Sequence, residues 1–190
     1  MATSSFKSFP EMFLHRVAST PDTDAFHYPD ADENWQTLSW QDVGDQVRDL
    51  AGGLLSQGLE IEQRCAILCA TRVEWILSDL SILAAGGATT TIYPSNTPEE
   101  CEYIINDSTT RFVFVEDTEQ LEKLLSVRDQ LEGIVRVIVN DGNGTEDGWA
   151  ISMEKLRDLG KRWHAANPGR YEENIDSVQP THLATLIYTS

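Results

Sequence analysis

Arg64-Cys65-Ala66-Ile67-Leu68-Cys69, Thr71-Arg72-Val73-Glu74-Trp75 and Ala88-Thr89-Thr90-Thr91-Ile92-Tyr93 follow one another in a single stretch of the chain. The first and third pieces are apolar runs of strand length. Between them Trp75, Ile76, Leu80 and Leu83 recur at helical spacing, and Gly86-Gly87 supplies a left-handed stop. Thr71 with Glu74 three residues later has the form of a capping box. Strand, helix and strand in this order make the unit of a parallel sheet.

The same alternation extends both ways. Upstream, Asp24 to Tyr28 and Asn34 to Leu38 flank the turn-rich Pro29-Asp30-Ala31-Asp32-Glu33 and read as a hairpin. Ser39 then caps a helix whose apolar positions are Val43, Val47, Leu50, Ala51, Leu54 and Leu55, closed at Gly58. Downstream, Thr97-Pro98-Glu99-Glu100 is a second capping box, with Cys101, Ile104 and Ile105 on the buried face. Further strands are expected at Arg111 to Val115, Ile134 to Val139 and Leu183 to Tyr188. Thr118 and Ser152 read as caps ahead of Leu121-Leu124-Leu125 and Leu156-Leu159, and Asn140 to Trp149 as a flexible loop. The expected fold class is α/β, a mostly parallel sheet with right-handed crossovers and helices on both faces.

Composition removes several functions. The 190 residues carry 14 Lys and Arg against 31 Asp and Glu, a formal charge of −17. The basic residues are scattered singly, so a nucleic-acid partner is excluded. Met1 to Lys7 has no apolar core of a signal peptide, and Trp75 to Tyr93 is too broken by polar residues and glycine for a membrane span. Three cysteines are too few for a disulfide scaffold and point to a reducing, cytoplasmic setting. The acidity fits a solvated surface, or adaptation to high salt. Stability measured from low to molar salt separates the two, since a protein equally stable without salt is no halophile.

Most chemistry-bearing side chains have a structural reading. Cys65 and Cys69 share one face of a strand with no histidine near in sequence, so they read as core, as does Cys101. His15, His27, His164 and His182 are dispersed. Glu99 and Glu100 lie in a helix's first turn, where carboxylates meet the positive end of the helix dipole. Trp35, Trp40 and Trp75 read as packing residues, with an acyl channel the other reading. The last predicted strand stands apart. It ends in Tyr188-Thr189-Ser190, and two small hydroxyl residues at the carboxyl end of a parallel strand are what begins a phosphate-binding loop.

Three segments resemble adenylate-forming enzymes, the acyl-CoA synthetase and adenylation-domain superfamily. Leu38-Ser39-Trp40-Gln41-Asp42-Val43 is similar to the family's "L-[TS]-Y-x-E-L", and Leu83-Ala84-Ala85-Gly86-Gly87-Ala88 through Pro94 to its "L-x-A-G-a-x-x-x-P". Leu183 to Ser190 resembles the opening of "Y-T-S-G-[ST]-T-G-x-P-K-G", which holds the phosphates of ATP. Thr71 to Trp75, Ile92 to Glu100 and Tyr103 to Ser108 most resemble long-chain fatty acid–CoA ligases, although Ser95-Asn96-Thr97 and Thr89-Thr90-Thr91 depart from that branch.

The resemblance implies that residues 1–190 are the N-terminal portion of the AMP-binding domain, cut at the start of the phosphate loop and incomplete at the C-terminus. It implies the conversion of fatty acid, ATP and CoA to acyl-CoA through an acyl-adenylate, with Mg²⁺. Thr189 and Ser190 are the implied contacts to the ATP phosphates; no catalytic residue and no metal ligand is implied among the 190. The piece alone is expected to be inactive. The resemblance is compatible with peripheral membrane contact and a homodimer. Two other readings stay open: another acyl- or aryl-acid-activating adenylation enzyme, and a non-catalytic α/β binding module.

Overall fold

A computed structural model describes residues 6–30 and 32–189. Helix α1 (Phe9–Ser19) opens the chain, capped by Ser8, whose hydroxyl accepts from Glu11 N. Strands β1 (Asp24–Pro29) and β2 (Trp35–Ser39) pair antiparallel as the expected hairpin. Helix α2 (Trp40–Ser56) follows at once, its capping box formed between Ser39 and Asp42. Gly58 takes the left-handed conformation, φ 86°, that ends it.

Then the sheet begins. Strand β3 (Arg64–Leu68), helix α3 (Val73–Ala84), strand β4 (Ala88–Ile92), helix α4 (Pro98–Asp107), strand β5 (Phe112–Asp117), helix α5 (Thr118–Ser126) and strand β6 (Arg136–Asp141) alternate as expected. Strand β7 (Ala150–Ser152) leads into α6 (Met153–Ala166) and α7 (Arg170–Ser177), and β8 (Thr185–Leu186) comes last. The order across the six-stranded sheet is β7-β6-β5-β3-β4-β8, and every pairing is parallel.

Period-two alternation sends side chains to opposite faces. Cys65, Ile67, Phe112, Phe114 and Ile138 pack under α1, α2, α3, α6 and α7. Ala66, Leu68, Val113, Val115, Val137 and Val139 pack under α4 and α5 with Cys101, Ile104, Ile105, Leu121 and Leu124. All the named strand residues are fully buried, which explains their apolarity at every position. Helices α2 and α6 approach so closely that a Cβ on Gly160 would collide with the Asp49 carbonyl, and one on Gly53 with the Leu156 carbonyl.

Several expectations need correction. Thr71 does not cap α3: the N-cap is Arg72 with no side-chain cap bond, because Glu74 is taken by the Arg72 guanidinium at 2.5 Å. Thr118 does not cap α5; the stronger acceptor Asp117, one residue earlier, receives Gln120 N at 3.0 Å. The expected loop at Asn140 to Trp149 loses its first two residues to β6, while Ala150 just beyond it starts β7. Strand β8 is two residues, not six: it meets β4 at Thr89 and Thr90, and past Leu186 the chain leaves the ladder. Trp35 does not pack in the core and is 74% exposed. Among the described residues no helix is long and apolar enough to cross a membrane.

Candidate functional site

In an open parallel sheet ligands bind beyond the carboxyl ends of the strands. Two places qualify. One is the crevice between β3 and β5, where the chain reverses direction across the sheet. There Arg72 donates from Nε to Glu74 at 2.5 Å and from Nη1 to Asp141 at 2.6 Å, with Glu116 at 3.6 Å. Glu116 also receives Ala70 N at 2.7 Å. Burial opposes the Arg72 charge, but the bonds to Glu74 and Asp141 outweigh it and hold the guanidinium above its ordinary range. Cys69 lies beside this network, bonded by Asn140 Nδ2 at 3.7 Å, and burial pushes its thiol up to about 12. A thiol so raised is no nucleophile at neutral pH. The Arg72 network forms one wall of a cavity of about 830 Å³ that Phe26, Tyr28, Trp35 and Ile76 also line.

The second place is the end of β8. Thr89 N donates to Ala184 O at 2.9 Å, and Thr185 Oγ1 to Thr89 O at 3.0 Å. The Thr89 hydroxyl in turn donates to Asp79 at 2.6 Å, tying the strand to α3. Leu183 N is held by Glu62 Oε1 at 2.8 Å. Past Leu186 the chain leaves the ladder, and Ile187 is 72% exposed. Tyr188 turns back onto the core under α4, donates from its hydroxyl to Asp107 Oδ2 at 2.6 Å, and meets the Tyr103 ring edge-on at 6.5 Å. Burial first, then Asp107, push the Tyr188 hydroxyl up to about 12. Thr189 follows directly and is exposed; Ser190 lies outside the described residues.

The other sequence candidates have structural roles. Glu100 closes the second capping box by accepting Thr97 N at 2.8 Å. Cys65, Cys69 and Cys101 are buried free thiols. His15 stacks on Phe6, His27 bonds Thr37, His164 bonds the Arg48 carbonyl and His182 bonds Gln179 N. Trp40 packs against Phe13 and Phe26 on the wall of a groove of about 610 Å³ beside α1. Arg72, Glu116, Asp141 and Asp107 were not singled out by sequence. Apart from the Arg72–Glu74 contact, their partners lie tens of residues away, so no local pattern marks them. Among the described residues no group of three or more His, Cys, Asp or Glu is placed to hold a metal ion. An exposed hydroxyl at a strand end instead fits a hard cation that arrives on phosphate oxygens, the usual habit of Mg²⁺.

The fold is a doubly wound α/β domain with two candidate ligand positions, the β3–β5 crevice and the end of β8. The chain belongs to the AMP-binding enzyme family, whose model matches residues 13–190. The long-chain-fatty-acid–CoA ligase ACSBG2 of Xenopus laevis is 30% identical over 159 residues, 83% of this chain and 21% of the relative. The chain thus spans about a fifth of that relative's length. The long-chain-fatty-acid-CoA ligase FadD1 from Archaeoglobus fulgidus superposes with a TM-score of 0.68 at 17% identity, covering 83% of this chain and 31% of that one. The anthranilate CoA ligase AuaEII, in complex with anthranoyl-AMP, gives 0.68 at 18% identity over 83% of this chain and 28% of that one. These two likenesses speak for the fold alone.

Proposed function

We propose that this chain forms the N-terminal part of an AMP-forming long-chain fatty acid–CoA ligase. The observation that carries the reading is the match of residues 13–190 to the AMP-binding enzyme family, with Tyr188 and Thr189 at the carboxyl end of β8, where the family's phosphate loop would begin. The 30% identity to a long-chain-fatty-acid–CoA ligase supports the substrate class. On this reading the fatty carboxylate attacks the α-phosphorus of ATP and pyrophosphate leaves; CoA thiol then displaces AMP to give the thioester. Thr189 and Ser190 would contact the phosphate end of ATP, their hydroxyls donating to oxygens whose charge rises as pyrophosphate departs. Mg²⁺, when bound, neutralises charge across those oxygens. Residues 1–190 would supply the start of the loop and its sheet, and alone would not catalyse adenylation.

The test is ATP–pyrophosphate exchange driven by a panel of acids, run on the full-length protein and on residues 1–190. We expect exchange with palmitate by the full-length protein and none by the shorter chain. Exchange only with an aryl or amino acid would move the enzyme to another branch of the family. Turnover by residues 1–190 alone would contradict the division of labour.

A further inference from the structure

The last anchor before Thr189 is a side chain, not the sheet. Strand β8 pairs through Thr185 and Leu186 with β4 alone, and Ile187 makes no part of the core. Tyr188 is then fixed at two points, by Asp107 at its hydroxyl and by Tyr103 at its ring. Both partners sit on α4, which is itself firmly held. Its first turn is closed by Thr97 and Glu100, and Cys101, Ile104 and Ile105 lock its inner face to the sheet. A single-residue step separates Tyr188 from Thr189, so the direction of the chain at Thr189 is set from α4. We propose that Asp107 and Tyr103 are positioning residues, which hold Tyr188 and thereby place the Thr189 hydroxyl for the phosphates of the nucleotide. The proposal rests on the phosphate-loop reading of Thr189. The chemistry suits the role, because the Tyr188 hydroxyl is kept protonated and can act as donor throughout the neutral range. Asp107 is a carboxylate exposed on α4, and the bond to Tyr188 is the tertiary contact its side chain makes among the described residues.

Tyr188→Phe removes the donor, Asp107→Ala removes the acceptor, and Asp107→Asn keeps a carbonyl acceptor. In the full-length protein, pyrophosphate exchange gives the KM for MgATP and for the acid separately. One net hydrogen bond to a solvent-exposed acceptor such as Asp107 corresponds to roughly a three- to tenfold change. We expect Tyr188→Phe and Asp107→Ala each to raise the KM for MgATP by about that factor. The KM for palmitate should stay within about twofold. The double variant should be no worse than either single one, and Asp107→Asn should recover most of the loss. Unchanged KM for MgATP, additive losses, or equal rises in both KM values would overturn the tether while leaving the ligase reading intact. No exchange by the unsubstituted protein with any acid would overturn both. A second measurement needs no activity: amide exchange at Thr189 should quicken in Tyr188→Phe and Asp107→Ala, and equal exchange in all forms counts against the tether.

Discussion

The two carboxyl-end positions of the sheet are built from the same kind of strand end and are lined by opposite chemistry. At the β3–β5 crevice, Arg72 draws Glu74, Glu116 and Asp141 together, and the backbone of Ala70 joins them. At the end of β8, the strand has two paired residues, one neighbour and an exposed Thr189 beyond. The reversal point of such a sheet is the usual ligand position. In this chain the reversal point carries a charge network on the wall of a cavity of about 830 Å³, whereas the end of β8 presents a hydroxyl. A topological rule names places, and the side chains decide what each of them can bind.

The comparison can be strained from either side. The largest effect is expected where the crevice is underpinned: Phe114→Ala, fully buried in β5, should cost about 3–5 kcal/mol in urea unfolding. A cost below about 1 kcal/mol would mean that β5 is not the packed centre described. Arg72→Ala leaves three carboxylates facing one another. The expected loss is about 1–2 kcal/mol, below the figure for a fully buried pair because Glu116 and Asp141 are 22% and 55% exposed. An unchanged midpoint would show the network to be ornamental.

Asp79, which receives Thr89 behind β8, gives a pH-dependent test. Burial raises its carboxyl above the ordinary 3.8. The native state therefore takes up this proton at higher pH than the unfolded chain, and stability falls as pH rises through that window. Asp79→Asn removes the penalty and keeps an acceptor for Thr89, so its Tm should exceed the parent's at neutral pH. The gain should vanish as pH drops to the ordinary carboxylate range. A gain that grows on acidification would reverse the assignment. Smallest of all, Ile187→Ser at the exposed edge should move stability by no more than about 0.5 kcal/mol.

Much of the contrast was legible in the residues. Strands buried on both faces must be apolar throughout, so Cys65 to Leu68, Phe112 to Val115 and Val137 to Val139 announce themselves. Ser39 with Asp42 and Thr97 with Glu100 formed the caps that local spacing predicts. Where local and long-range partners compete, the pattern misled. Glu74 has the spacing of a capping glutamate and is claimed by Arg72, whose other partners come from β5 and β6. Leu183 to Tyr188 is apolar enough for a long strand, but Thr185 and Leu186 alone pair with β4, and Tyr188 is drawn off to Asp107 on α4. Helix α7 shows only Tyr171 and Ile175 as buried residues in an acidic segment, too faint a stripe to be read. Thr189 is marked by its place at the end of an apolar strand and by the family resemblance; Asp107, which holds the residue before it, lies 81 positions away from Tyr188 and carries no local mark.

Amide hydrogen exchange of the full-length protein with and without MgATP compares the two positions directly. The expected result is that MgATP slows exchange around Thr185–Thr189 and leaves Ala70–Glu74 unchanged. Protection at Ala70–Glu74 with none at Thr185–Thr189 would place the nucleotide in the crevice and contradict it.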